Sequence, residues 1–84
     1  MAKRLTAESR DEELLRLARE RVDLPAGKVS LEYQPDADLL LVELKEHPKP
    51  TYSTDDIERG LIFNYEGGKL VSIEILDLYG VHVS

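Results

Sequence analysis

An 84-residue chain without cysteine has room for one domain and excludes both a disulfide framework and a thiolate metal site. Its formal net charge of −6, with 6% aromatic residues and no Trp, opposes binding to nucleic-acid phosphates and leaves few ring faces for stacking bases. No apolar run approaches a membrane span, and MAKRLTAESRDEELL lacks the apolar stretch of a signal peptide, so a cytoplasmic protein with no membrane partner is expected.

The charge is uneven. Residues 1–24 carry six basic and six acidic side chains, whereas residues 25–84 carry five basic and eleven acidic ones. If any part touches a phosphate, it is the Arg-bearing N-terminal segment. The plain reading of the acidic excess is solubility.

From about Ala7 to Val22 the spacing predicts a helix, with Leu14, Leu15, Leu17, Ala18 and Val22 on one apolar stripe. Acids sit early (Glu8, Asp11, Glu12, Glu13) and arginines late (Arg16, Arg19, Arg21), an order that complements the helix dipole. Thr6 or Ser9 is placed to cap the start, Glu12 and Arg16 are spaced for an ion pair, and Pro25 and Gly27 stop the helix.

KVSLEYQ (28–34) alternates Val29, Leu31 and Tyr33, and DLLLVELK (38–45) reads as its antiparallel partner. A four-residue loop over 34–37 sets Tyr33 against Asp38, Leu31 against Leu40 and Val29 against Val42. The stretch EHPKPTYSTDDIER (46–59) reads as a long connection, stiffened by Pro48 and Pro50, with Ser53 or Thr54 capping a single helical turn. Long loops tend to carry function, so this one is a candidate functional surface.

GLIFNYE (60–66) and KLVSIEIL (69–76) form a hairpin around Gly67-Gly68. A two-residue turn opposes Phe63 to Ser72, which mixes the faces. A three-residue loop with Gly68 left-handed opposes Phe63 to Val71 and Leu61 to Ile73, and is preferred for that reason. The expected core face is Val29, Leu31, Leu40, Val42, Leu44, Leu61, Phe63, Val71, Ile73 and Ile75, covered by the helix. Each contributes roughly 1.5–3 kcal/mol when fully buried, before the cost of ordering.

The other face presents Ser30, Glu32, Glu43, Asn64, Ser72 and Glu74, as solvent requires, but also Leu39, Leu41, Ile62 and Leu70. Those four aliphatic residues mark either a partner or dimer surface, or a face that the helix, the long loop or the tail from Tyr79 to Ser84 covers.

LEYQPDADLLLVELK followed by ERGLIFNYEGGKLVSIEIL resembles a family of small bacterial proteins, the domain of unknown function 2283 family, over about residues 29–77. The residues that carry the resemblance are Tyr33, Asp38 and Leu40, then Gly60, Leu61 and Ile62, then Ile73, Glu74, Ile75 and Leu76. Asn64 stands where an Asp looks usual, and Ser72 where a Gly looks usual. Both departures weaken the idea of a carboxylate site. The resemblance implies a fold and, as a hint, partnership with small toxins.

Candidate chemistry is sparse. Asp36 and Asp38 bracket a turn with Glu74 on another strand, a set that suits a divalent cation or an acid–base pair, but the oxygen spacing of a calcium loop is missing and a turn Asp normally bonds its own backbone. His47 and His82 lie in a loop and a tail, with no spacing that joins them at a metal. Asp55 and Asp56 read as a solvated knuckle. Ser53 and Thr54 have no histidine base beside them. Tyr33, Tyr52, Tyr65 and Tyr79 lack interleaved basic residues.

The expected architecture is α+β, one N-terminal helix packed on a four-stranded antiparallel β-meander, with residues 1–27 as helix and linker and 28–84 as the sheet of one globular unit. The expected function is a non-enzymatic protein-interaction module without cofactor, self-associating or binding a protein partner through Leu39, Leu41, Ile62 and Leu70. The alternative is an antitoxin-like regulator that neutralises a small basic toxin, with weak DNA contact through the N-terminal segment.

Overall fold

The computed structural model describes the backbone of residues 2–24 and 29–80, with side chains from residue 11 onward. Among these residues there is one helix, α1 (Ala2–Arg21), and there are five strands: β1 (Ser30–Gln34), β2 (Leu39–Glu43), β3 (Tyr52–Asp56), β4 (Leu61–Glu66) and β5 (Lys69–Ile75). The class is α+β, as the residue pattern predicts. The sheet has a fifth strand, and its order β1-β2-β5-β4-β3 is not a meander.

The extra strand comes from the segment expected to be a loop. Tyr52–Asp56 pairs antiparallel with β4, from Tyr52 opposite Tyr65 to Asp56 opposite Leu61. Ser53 and Thr54 therefore lie in a strand rather than capping a helical turn. Its signal is weak because Tyr52, Ser53, Thr54 and Asp55 are all exposed, so no alternation of burial marks it. The link from β2 to β3 passes the ends of β5 and β4, and β2, β5, β4 and β3 form a Greek-key arrangement.

Two registers differ from expectation. In the first hairpin Tyr33 faces Leu40 and Leu31 faces Val42, two positions away from the pairing drawn from the sequence. A shift of two keeps each side chain on its own face, so the core assignment survives. The cause is Asp38, whose φ of 50° makes it the last turn residue instead of the first strand residue.

In the second hairpin Gly67 and Gly68 both have positive φ, 59° and 87°, and the turn is the two-residue one, with Glu66 opposite Lys69. A bulge restores the faces: Tyr65 pairs with Leu70 and Asn64 with Ser72, which leaves Val71 as the extra residue. Beyond it Phe63 meets Ile73 and Leu61 meets Ile75, apolar on apolar. The bulge also moves Leu70 off the polar face, and its side chain packs against the core cluster.

The core holds Leu14 and Ala18 of α1 against Leu40, Val42, Leu61, Ile73 and Ile75, with Leu78 after the last strand. Leu17, Val22, Val29, Leu31, Leu44 and Phe63 pack around it. The helix starts earlier than the spacing suggests, so Thr6 and Ser9 lie inside it and its first turn holds no acid. Arg19 and Arg21 occupy the last turn, as the dipole favours. Arg16 pairs with Glu20 at 3.1 Å rather than with Glu12. The stop signal at Pro25 and Gly27 lies outside the described residues.

Arg21 locks the helix end to the sheet. Its Nη1 donates to the Asp77 carbonyl at 3.1 Å, and its Nη2 donates to the carbonyls of Leu76 at 3.0 Å and Arg59. A charged donor on three backbone acceptors is a stronger tie than neutral bonds between the same elements.

Candidate functional site: the polar face of the sheet

The face opposite α1 is built in rows across the strands. One row runs Glu32, Leu41, Glu74, Ile62, Asp55, and the next runs Ser30, Glu43, Ser72, Asn64, Ser53. Period-2 alternation puts these residues together on the face turned away from the core. Leu41 and Ile62 thus flank Glu74 directly, and Leu39 lies two positions along β2 on the same face.

Asn64 and Ser72 are buried on this nominally wet face, at 6% and 3% exposure. The segment carrying Pro48 and Pro50 rises beside them and bounds a groove of about 350 Å³ whose lining includes Leu39, Leu41, Glu43 and Glu74. The first part of the long link is therefore a wall of the site, and its second part is β3.

Asn64 organises the floor. Its Nδ2 donates to Ser72 Oγ at 3.1 Å and to Glu74 Oε2 at 3.1 Å, while its Oδ1 accepts from Ser53 Oγ. One acceptor and both amide protons are engaged, so this buried amide carries no unmet polar demand. Asn64 and Ser72 sit opposite each other and bond to one another. An Asn can donate to Glu74 where an ionised Asp would repel it. The result is a carboxylate held by one oxygen between two aliphatic side chains.

The other sequence candidates go elsewhere. Asp38 Oδ1 accepts from the Tyr33 hydroxyl at 2.6 Å and the Tyr79 amide at 3.1 Å, and its Oδ2 accepts from the Gly80 amide at 3.1 Å. Tyr33 and Tyr79 meet edge to face with ring centroids 5.4 Å apart, and the Tyr79 hydroxyl donates to Glu13 at 2.7 Å. Asp38 thereby fastens the segment after β5 to the first hairpin and to the helix, a structural task. Asp36 is exposed in the turn, and His47 is exposed in the link; His82 lies outside the described residues. Among the described residues no group of three or more His, Cys, Asp or Glu side chains is placed to hold a metal ion.

Asn64, Ser72 and Ser53 were not singled out by sequence as a unit. Their one legible signal is an amide among polar residues in alternation with core positions; the contact itself depends on the bulge, which only the folded hairpin reveals.

A small α+β domain with an acidic, partly aliphatic sheet face is the class that fold and site define. Residues 30–78 match the family described as Protein of unknown function (DUF2283), and the chain belongs to that family. No curated protein and no solved structure matches the chain. No helix among the described residues is long and apolar enough to cross a membrane.

Proposed function

We propose that this protein is a non-enzymatic interaction module that binds a cationic protein partner through the polar face of its sheet. The observation that carries the reading is Glu74, held by Asn64 at 3.1 Å between Leu41 and Ile62. A Lys or Arg side chain suits that position: its head reaches the carboxylate and its stem lies along the aliphatic pair.

The same rows argue against a second copy as the occupant. Glu32, Glu43, Glu74 and Asp55 all sit on this face, so stacking two such faces brings carboxylates together in a chain that already carries −6. Leu70 drops out of the expected patch because it packs on the core side. A regulator that neutralises a small basic toxin is one form of this module, favoured by the same carboxylates.

The test is Leu41→Glu. Leu41 is half-buried on the outer face and its loss spares the core, so the variant should stay folded, its thermal midpoint lowered modestly by the new carboxylate between Glu32 and Glu74, while partner capture in the native host falls at least about tenfold. Capture and oligomeric state both unchanged would sink the reading. Loss of a homodimer on size-exclusion chromatography, with no cationic partner present, would replace it with self-association.

A further inference from the structure

Among the described residues β3 is the outermost strand on its side of the sheet and pairs with β4 alone. One row of its backbone N–H and C=O groups therefore faces outward without a strand partner, a template for an added strand. The opposite edge differs, because α1 packs beside β1. On β3 the four residues Tyr52 to Asp55 are exposed, so neither face of the strand is covered.

The edge is held in place before any partner arrives. The Thr51 amide donates to the Tyr65 carbonyl at 2.7 Å, the Lys49 amide donates to Glu66 at 2.9 Å, and the Gly67 amide donates to Thr51 Oγ1 at 3.3 Å. Tyr52 stacks on Tyr65 with centroids 4.9 Å apart and planes within 10°. A strand ordered in advance spares its ligand part of the entropy of association.

Charge selects the occupant. The Asp56 carboxylate is engaged by the Arg59 amide at 3.2 Å and by the Arg59 guanidinium at 3.7 Å, whereas the Asp55 carboxylate has no hydrogen bond or ion pair among the described residues. Asp55 ends the row that contains Glu74, so a residue added opposite it extends the acidic face. On the other face Tyr52, 51% exposed, offers its ring to the same added strand. A second copy paired antiparallel about Thr54 brings two Asp55 side chains onto one face at diagonal positions, which opposes self-pairing.

We propose that the β3 edge binds an extended cationic segment of the protein partner by strand addition, with a Lys or Arg opposite Asp55 and, three residues away on the other face, an aromatic or Arg side chain on Tyr52. It rests on the reading of a cationic protein partner and adds the backbone edge of β3, at the end of the row that holds Leu41 and Glu74.

The probe is a synthetic peptide of about ten residues alternating Lys with Val and one Tyr, built to the two-residue period of a strand, together with its Lys-to-Glu counterpart. Each is titrated into the full, isotope-labelled chain, with amide shifts and amide exchange recorded. The Lys peptide should shift and protect amides of Tyr52–Asp56, the Glu peptide should not, and Asp55→Lys should weaken binding at least about tenfold at an unchanged thermal midpoint. No binding at millimolar peptide, an equal response to both peptides, or shifts centred on Leu39, Leu41 and Glu74 would overturn the proposal. If partner capture is lost in Leu41→Glu but not in Asp55→Lys, the edge proposal alone fails. If the peptide docks on β3 while Leu41→Glu changes nothing, the face reading alone fails.

Discussion

A Cβ placed on Gly60 would stand 3.0 Å from Nη2 of Arg21 and 3.3 Å from the Leu76 carbonyl oxygen. Gly60 also has φ +67°. The backbone at this position therefore favours glycine, and an added Cβ would also make Arg21 and the Leu76 carbonyl give by a few tenths of an ångström. Gly67, at φ +59°, has nothing within 4 Å of its hypothetical Cβ.

Gly60→Ala should thus cost more than Gly67→Ala. The left-handed backbone costs either variant roughly 1–2 kcal/mol, and at Gly60 the crowding of Arg21 Nη2 and the Leu76 carbonyl adds to that loss. Urea unfolding of both variants measures the difference. Equal losses would mean that Arg21 does not bear on the Gly60 turn.

Asp38→Ala removes the acceptor for Tyr33, Tyr79 and Gly80 at a residue with φ 50°. A loss of about 2–3 kcal/mol is expected, with Asp38→Asn milder because Asn tolerates the left-handed region. Added calcium or magnesium should leave the thermal midpoint of the parent unchanged. A metal-dependent rise that vanishes in Asp38→Ala would overturn the structural role given to this carboxylate.

Asn64→Asp places a second carboxylate beside Glu74 in a buried position. Like charges and burial both raise carboxylate pKa values, so stability should fall relative to the parent at neutral pH and recover as acid neutralises one of the pair. Asn64→Ala has no such charge, and its loss of about 1–3 kcal/mol should not depend on pH in this way. Thermal melts of both variants at neutral and acid pH separate the two behaviours.

The Lys49 amide and the Lys45 side chain hold the Glu66 carboxyl below its ordinary value of 4.5, the backbone hydrogen bond being the larger cause. A depressed folded-state pKa gives stability that is fully present above the unfolded-state value and is lost as pH falls through the folded one. Glu66→Gln should therefore flatten the acid limb of the stability curve below about pH 4.5 and lower the plateau above it. Salt should shrink the difference, because the pair is solvent-exposed. Identical acid limbs in parent and variant would remove Glu66 as a contributor.

Strand positions and core faces were legible wherever burial alternates. Leu31, Leu40, Val42, Leu61, Phe63 and Ile73 all pack in or against the core as their spacing implies. β3 was not legible, because a strand exposed on both faces carries no such alternation and is held by its pairing to β4. The candidate face was half legible. Leu39, Leu41 and Ile62 lie on it as read, whereas Leu70 was misplaced by a bulge that leaves no mark in hydrophobic pattern.

By itself the sequence determined the α+β class, the helix with its late arginines, the two hairpins and which side chains face inward. Those follow from local period, turn residues and apolar burial, which act over a few neighbours. Only the tertiary structure decided the fifth strand, the β1-β2-β5-β4-β3 order, the bulge at Val71, the Arg21 clasp and the Asn64–Glu74 contact. The strand order and the Arg21 clasp join residues distant in the chain, while the fifth strand, the bulge and the Asn64–Glu74 contact are set by pairing between neighbouring strands that leaves no mark in the apolar pattern.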